Sequence, residues 1–198
     1  MRTRKTVVIL ISGKAGSGKT TVANMLKTRL DGFEGITTFR YSLASPIKFM
    51  AKAYFGWDGE KDDRGRKLLQ DVGKVGREYD INIWVRHLLQ QMDKQAGLLP
   101  FNFVVVDDWR FENESKYLTS NPLLEVVTIR MIDRGGLGGS LAKDVSENSL
   151  PETMIEKLDL EEIGMYHFSV RNRESENDLL ASKLDTVLDA IAKQFILE

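Results

Sequence analysis

Cysteine is absent from this 198-residue chain, and His87 and His167 are its only histidines. The first absence excludes disulfides, thiolate zinc sites, iron–sulfur clusters and cysteine nucleophiles, and the second argues against a multi-histidine metal centre. A chain without cysteine also fits a reducing compartment. Neither sign of charge dominates: 28 Lys+Arg against 29 Asp+Glu leave a formal net charge of −1. There is thus no global electrostatic pull toward duplex DNA, RNA or anionic lipid. No apolar run approaches the ~20 residues of a membrane span. Met1-Arg2-Thr3-Arg4-Lys5 and the apolar Val7–Ile11 have the outline of a leader, yet they run into a glycine-rich loop instead of a small-residue cleavage site. A soluble, cytoplasmic protein is expected. With 42% hydrophobic and 29% charged residues, the chain can build one ordinary core, with room for an insert or lid.

Strand-like and helix-like segments alternate, the pattern of a parallel α/β sheet. Thr6–Ser12 is β-branched and continuously apolar, as for a strand covered on both faces. Val22, Met25, Leu26 and Leu30 recur at helical spacing. Ile36–Tyr41 is a weaker strand. Ser45-Pro46 has the form of an N-cap with proline at the first helical position, and Ile47, Met50, Ala51 and Tyr54 continue the pattern. Gly56–Arg66 reads as a loop, including the charge run Lys61-Asp62-Asp63-Arg64. Leu68, Leu69 and Val72 open another helix. Asp80 then caps a stronger one carrying Ile81, Trp84, Val85, Leu88, Leu89 and Met92. Phe101–Asp107 and Leu124–Ile132 are strands. Gly135, Gly136, Gly138 and Gly139 begin a segment read as mobile. Pro151–Leu160 is a short helix candidate, Met165–Val170 a last strand, and Leu180 to Phe195 a closing amphipathic helix.

The strongest signal is Gly13-Lys14-Ala15-Gly16-Ser17-Gly18-Lys19-Thr20, a full match to G-x4-G-K-[ST] between a strand and a helix. Glycines let backbone N–H groups turn inward around phosphate oxygens, and the new helix adds its unsatisfied N–H groups and positive dipole end. Lys19 is expected to reach the β- and γ-phosphates, and Thr20 to place its hydroxyl on Mg²⁺, with Thr21 beside it. Such a site needs an acid at the end of a neighbouring strand, and Asp107 and Asp108 offer two. The chain after Asp107 reads Asp-Trp-Arg, and N/T-K-x-D is absent, so a GTPase signature is missing. A small-molecule kinase fits the length better than a motor ATPase.

Leu69-Gln70-Asp71-Val72-Gly73-Lys74-Val75-Gly76-Arg77, continuing to Trp84-Val85, resembles a segment of the bacteriophage-type deoxynucleoside monophosphate kinases. Asp108-Trp109-Arg110-Phe111-Glu112-Asn113-Glu114 is similar to their D-V-R-F-x-N-E. Ser42-Leu43-Ala44-Ser45-Pro46-Ile47-Lys48 is similar to their F-A-x-P-L-K stretch. Asp144-Val145-Ser146-Glu147 looks like a degraded H-x-S-E, and Arg130 to Arg134 resembles the arginine-bearing end of their fourth strand. The resemblance spans about residues 6–190. It implies a P-loop, nucleoside monophosphate kinase-like α/β fold. That fold has five parallel strands in the order 2-3-1-4-5 with helices on both faces, an acceptor-binding insert over about 42–98 and a lid-like segment over about 133–160. The implied reaction moves the ATP γ-phosphate, with Mg²⁺, to a (deoxy)nucleoside monophosphate in a monomer or homodimer. The family's acid aligns with Asp108, which is therefore preferred over Asp107.

Bringing two phosphate-bearing substrates together also demands cations on the acceptor side. Lys48 and Arg77 are candidates to clamp the monophosphate. Gln70 is a candidate to read the base. Trp84 and Arg130 complete the substrate set, although Trp84 also lies at core spacing. Arg110 either bridges the migrating phosphoryl group or pairs with Asp107 or Glu114. Arg134 and Lys143 border the lid, and Asn172 sits where related folds contact adenine. Trp109 replaces the family's valine and reads equally as core or as a stacking surface. Val145 replaces the lid histidine and Glu112 a proline. Two alternatives stand beside this reading. One is another small-acceptor kinase, of the dephospho-coenzyme A or adenylate kinase kind; the other is an ATP-binding regulator without turnover.

Overall fold

The computed structural model describes residues 5–96, 102–132, 165–171 and 177–196. The chain divides into two compact units, Met1–Arg40 together with Phe101–Glu198, and Tyr41–Pro100.

The first unit is built on β1 (Thr6–Ser12), whose residues Val7 to Ser12 are all buried. A strand with apolar side chains on both alternating faces must be covered on both sides, and hence lies inside a sheet. β1 pairs in parallel with β3 (Phe103–Val106) on one side and with β4 (Leu124–Ile132) on the other. β4 pairs in parallel with β5 (Met165–Arg171). With β2 (Thr38–Tyr41) at the far edge, the sheet order is β2-β3-β1-β4-β5.

Helix α1 (Lys19–Leu30) follows β1, and Val22, Ala23, Leu26 and Leu30 form its buried face. These side chains meet Val7, Ile9 and Ile11 of β1 and Leu184, Leu188 and Ile191 of α6 (Asn177–Phe195) in one core cluster. Each fully buried leucine there contributes roughly 1.5–3 kcal/mol, and Leu26→Ala costs about 2–5 kcal/mol. On the alternate positions Val8, Leu10, Val104 and Val106 are buried as well, which is why these strands are apolar throughout.

α5 (Glu112–Thr119) packs against β4 and has no counterpart among the helices read from the sequence. Only eight residues long and mostly polar, it shows no apolar stripe. Its start depends on buried Glu114, whose Oε2 accepts from the N–H groups of Arg110 and Phe111 at 3.0 Å each. That is half of a capping box: Phe111 has no side-chain acceptor to return the bond. Trp109 resolves to core, 1% exposed, with Nε1 donating to Phe111 O at 2.8 Å.

The second unit holds α2 (Ser45–Phe55), α3 (Asp63–Tyr79) and α4 (Ile83–Ala96). α2 is capped at Ala44 without a side-chain bond, so Ser45 is its first residue instead of its N-cap. α3 begins inside the stretch read as a loop. Asp62 is its N-cap and accepts from Gly65 N at 2.6 Å, while Asp63 places a carboxylate in the first turn. The capping bond and the dipole favour helix over solvated loop there. Asp80 Oδ1 accepts from Asn82 N at 3.0 Å and so shapes the turn between α3 and α4.

Among the described residues, no helix is long and apolar enough to cross a membrane. The mobile segment read from Gly135 to Asn148, the lid and the Pro151–Leu160 helix lie outside the described residues.

Candidate functional site

The loop between β1 and α1 takes its shape from three glycines with positive φ: Gly13 at 148°, Gly16 at 78° and Gly18 at 90°. Side chains are strained at such angles. At Gly13 space is closed too, because a Cβ would lie 2.7 Å from Ser17 Oγ and 2.8 Å from Met131 Cβ. Gly18 is the N-cap of α1, so no cap side chain occupies the first N–H groups, and no acidic residue stands in the first turn. An open helix start without a competing carboxylate is suited to an external anion. Lys19 Nζ lies over the loop, donating to Gly13 O at 2.6 Å and Lys14 O at 2.7 Å.

Thr20 projects from the first turn of α1 and donates from Oγ1 to Asp107 Oδ2 at 2.9 Å. Asp107 follows the last residue of β3 and is 7% exposed. The carboxylate that meets the loop threonine is therefore Asp107, where the sequence preferred Asp108. Asp108 is half-buried and lies one residue farther along the turn. The same Asp107 Oδ2 accepts from Arg40 Nη2 at 2.6 Å, and Arg40 Nη1 donates to Asn24 Oδ1 at 2.8 Å. Thr20 and Asn24 are four apart on α1 and so share one helix face.

Arg40 and Asn24 were missed in the sequence. The available signal was the i, i+4 spacing on α1 with an arginine closing the strand that leads away from it, but only strand order makes β2 the neighbour of β3.

Arg130 is 6% exposed near the end of β4, in register with Ser12 on β1 and Ser169 on β5. By strand alternation it shares a face with Val126 and Thr128, opposite Ile129 and Met131. Arg110 is half-buried beside the α5 start. Ala15 is half-buried, and Lys14 and Thr21 are exposed, on or next to the loop. Arg134, Lys143 and Asn172 lie outside the described residues.

In the second unit, Gln70, Gly73 and Arg77 share a stripe of α3 at i, i+3, i+7. The Arg77 guanidinium lies back over Gly73: a Cβ there would be 3.3 Å from Nη1 and also 3.3 Å from Ile47 Cδ1 of α2. Gln70 is exposed and Arg77 half-buried. Lys48 on α2 is half-buried. Trp84 is corrected to a packing residue. Its ring covers Gly76, where a Cβ would lie 2.2 Å from Cζ2, and its Nε1 donates to Gly73 O at 3.1 Å. Only 6% exposed, it offers no face to a ligand.

Hard oxygens from one hydroxyl and one carboxylate, set beside a loop shaped for anions, fit a Mg²⁺ that arrives with phosphates. Among the described residues no three His, Cys, Asp or Glu side chains gather as a metal cage, and such a shared ion needs none.

No family model matches the chain. A herpesvirus protein, the uncharacterized protein ORF77 of Ictalurid herpesvirus 1 (strain Auburn), is 29% identical over 151 residues. That match covers 76% of this chain and 62% of the relative's length. Among solved structures, a protein classed as a kinase from Chloroflexus aurantiacus j-10-fl aligns with a TM-score of 0.54 at 15% identity, over 96% of this chain and 98% of its own. Thymidylate kinase from Candida albicans aligns with a TM-score of 0.50 at 15% identity, over 96% and 92%. The chain has an α/β fold with a parallel sheet, similar to that of P-loop kinases.

Proposed function

We propose that this protein is a phosphotransferase that moves the ATP γ-phosphate to a (deoxy)nucleoside monophosphate, giving ADP and the diphosphate. The observation that carries the reading is the Thr20–Asp107 bond at the mouth of a glycine loop overlaid by Lys19. In this reading the N–H groups of Gly13 to Thr20 cradle the ATP phosphates. Lys19 exchanges its carbonyl partners for β- and γ-oxygens. Thr20 and Asp107 would hold Mg²⁺, where the sequence preferred Asp108, and the ion would supply positive charge to the phosphates.

An oxygen of the acceptor monophosphate attacks Pγ, the bond from Pγ to the bridging oxygen breaks, and the electron pair leaves on ADP. Arg77, with Lys48 and Gln70, supplies the acceptor contacts, because a guanidinium fork matches a phosphate dianion. Arg110 and Arg130 supply further positive charge toward the migrating group, while Arg134 and Asn172 keep the nucleotide-binding roles that the family resemblance implies. In this reading the acceptor-binding insert over about 42–98 falls within the unit Tyr41–Pro100. The thymidylate kinase likeness supports a monophosphate acceptor on this fold. The enzyme is read as cytoplasmic and as acting on small molecules, without nucleic acid or membrane, as a monomer or homodimer.

A coupled assay for ADP with dGMP, dTMP, dCMP, dAMP and dephospho-coenzyme A tests the reading. Acceptor-dependent turnover with a monophosphate, lost in Lys19→Ala, is expected. Turnover only with dephospho-coenzyme A replaces the acceptor class, and ATP binding without stimulation by any acceptor overturns the enzyme.

A further inference from the structure

Arg40 stands at the end of β2, and both terminal nitrogens of its guanidinium are engaged: Nη2 on Asp107 Oδ2 at 2.6 Å and Nη1 on Asn24 Oδ1 at 2.8 Å. The Asp107 side chain is 8% exposed and that of Arg40 32%. Two donors, Arg40 and Thr20, thus converge on one oxygen of a buried carboxylate. A charge-assisted bond of this length in a poorly hydrated place is strong and directional. It does two things to the carboxylate: it fixes its plane, and it cancels much of its negative field.

We infer that Arg40 is a positioning residue that tunes the metal–nucleotide site, acting as a resident cation that competes electrostatically with the divalent ion for Asp107. The inference rests on the functional reading above. A metal held by Asp107 and Thr20 meets a positive group already bound to the same carboxylate, so Arg40 weakens metal affinity while keeping the carboxylate aimed. Weak retention suits a site whose ion enters with ATP and leaves with ADP in every cycle. Asn24 serves as the second anchor that keeps the guanidinium from swinging away. Sequence logic alone treats the acid and the threonine as a sufficient pair; the geometry adds a third, opposing charge.

The test measures Mn²⁺·ADP binding by electron paramagnetic resonance and by calorimetry, with no acceptor present, in wild type, Arg40→Gln, Arg40→Lys and Asn24→Ala. Removing one unit charge within a few ångströms of a divalent ion in a half-buried site changes its affinity by at least about threefold. Arg40→Gln is expected to hold Mn²⁺ at least that much more tightly once ADP is bound, with metal-free ADP bound no more tightly than in wild type. Arg40→Lys retains the charge and is expected near wild type. Asn24→Ala removes the second anchor, lets the guanidinium swing off Asp107 for part of the time, and is expected to shift the same way by less.

Equal or weaker Mn²⁺ affinity in Arg40→Gln, beside a wild type that binds, overturns the inference and leaves the kinase reading intact. A wild type that binds no metal nucleotide overturns both. Should Arg40→Gln fail to fold, Asn24→Ala decides alone, and no tightening there overturns the inference.

Discussion

Thr20 Oγ1 donates to Asp107 Oδ2 at 2.9 Å, which ties the first turn of α1 to the carboxyl end of β3. The two residues are 87 positions apart in the chain. This bond ranks the two adjacent acids. Asp107→Asn is expected to lower kcat by about 10²-fold or more, in line with the loss of one electrostatic contact to a transferring group. Asp108→Asn should change it by less than about tenfold. Initial rates at fixed ATP over a Mg²⁺ series check this, and a larger loss in Asp108→Asn would return the metal to that residue.

The packing of Trp84 on α3 makes a stability prediction that is independent of any ligand. Gly76→Ala drives a methyl into the indole ring, with 2.2 Å between Cβ and Cζ2, and overpacking of this kind costs about 1–3 kcal/mol. Trp84→Phe forfeits the bond to Gly73 O, a carbonyl that keeps its place in the α3 helical ladder, for about 0.5–1.5 kcal/mol. Urea titration of both variants measures the losses. A Gly76→Ala protein as stable as wild type would show that the tryptophan is not held there.

Arg77 and Gly73 are coupled through the same stripe of α3. Arg77→Ala is expected to raise the acceptor KM by about tenfold or more while leaving ATP binding alone, since a charged contact contributes about 1.5–3 kcal/mol. Gly73→Ala is expected to do the same more weakly, because its methyl meets the guanidinium at 3.3 Å. Steady-state kinetics with the preferred monophosphate check both. An unchanged acceptor KM in Arg77→Ala removes it from the acceptor site.

His87 on α4 is held below the ordinary histidine value of 6.5, first by burial and then by the Lys94 ammonium. The folded chain thus takes up this proton less readily than the unfolded chain. The unfolded state binds more protons below the ordinary value, so His87 makes stability rise with pH there and level off above it. On acidification from about pH 7.5 to about pH 5.5 the protein loses that contribution. Tm measured across this interval should fall less in His87→Gln than in wild type. Parallel curves would remove His87 as a source of the slope.

Much of the first unit is legible in short windows of sequence. β1 and β4 have the bounds read from their apolar runs, and α1 begins where the glycine loop ends. The shift of the α3 start to Asp63 and the appearance of α5 come from single capping carboxylates, Asp62 and Glu114, which periodicity does not weigh. Trp84 illustrates a different limit. Its spacing is that of a core residue and its motif that of a ligand contact, and only Gly73 and Gly76 on the neighbouring helix decide for packing.

What the sequence by itself determined is local: an anion-shaped turn of three glycines, the lysine and threonine after it, and the apolar runs of β1, β3 and β4. These follow from backbone angles and side-chain alternation, which act over a few residues. Which acid faces Thr20, and that Arg40 opposes it, was decided only by the tertiary structure. Beyond the last paired residue of β3 alternation no longer dictates direction. The carboxylate then turns toward whatever donors the neighbouring strand and helix bring, here Arg40 from β2 and Thr20 from α1.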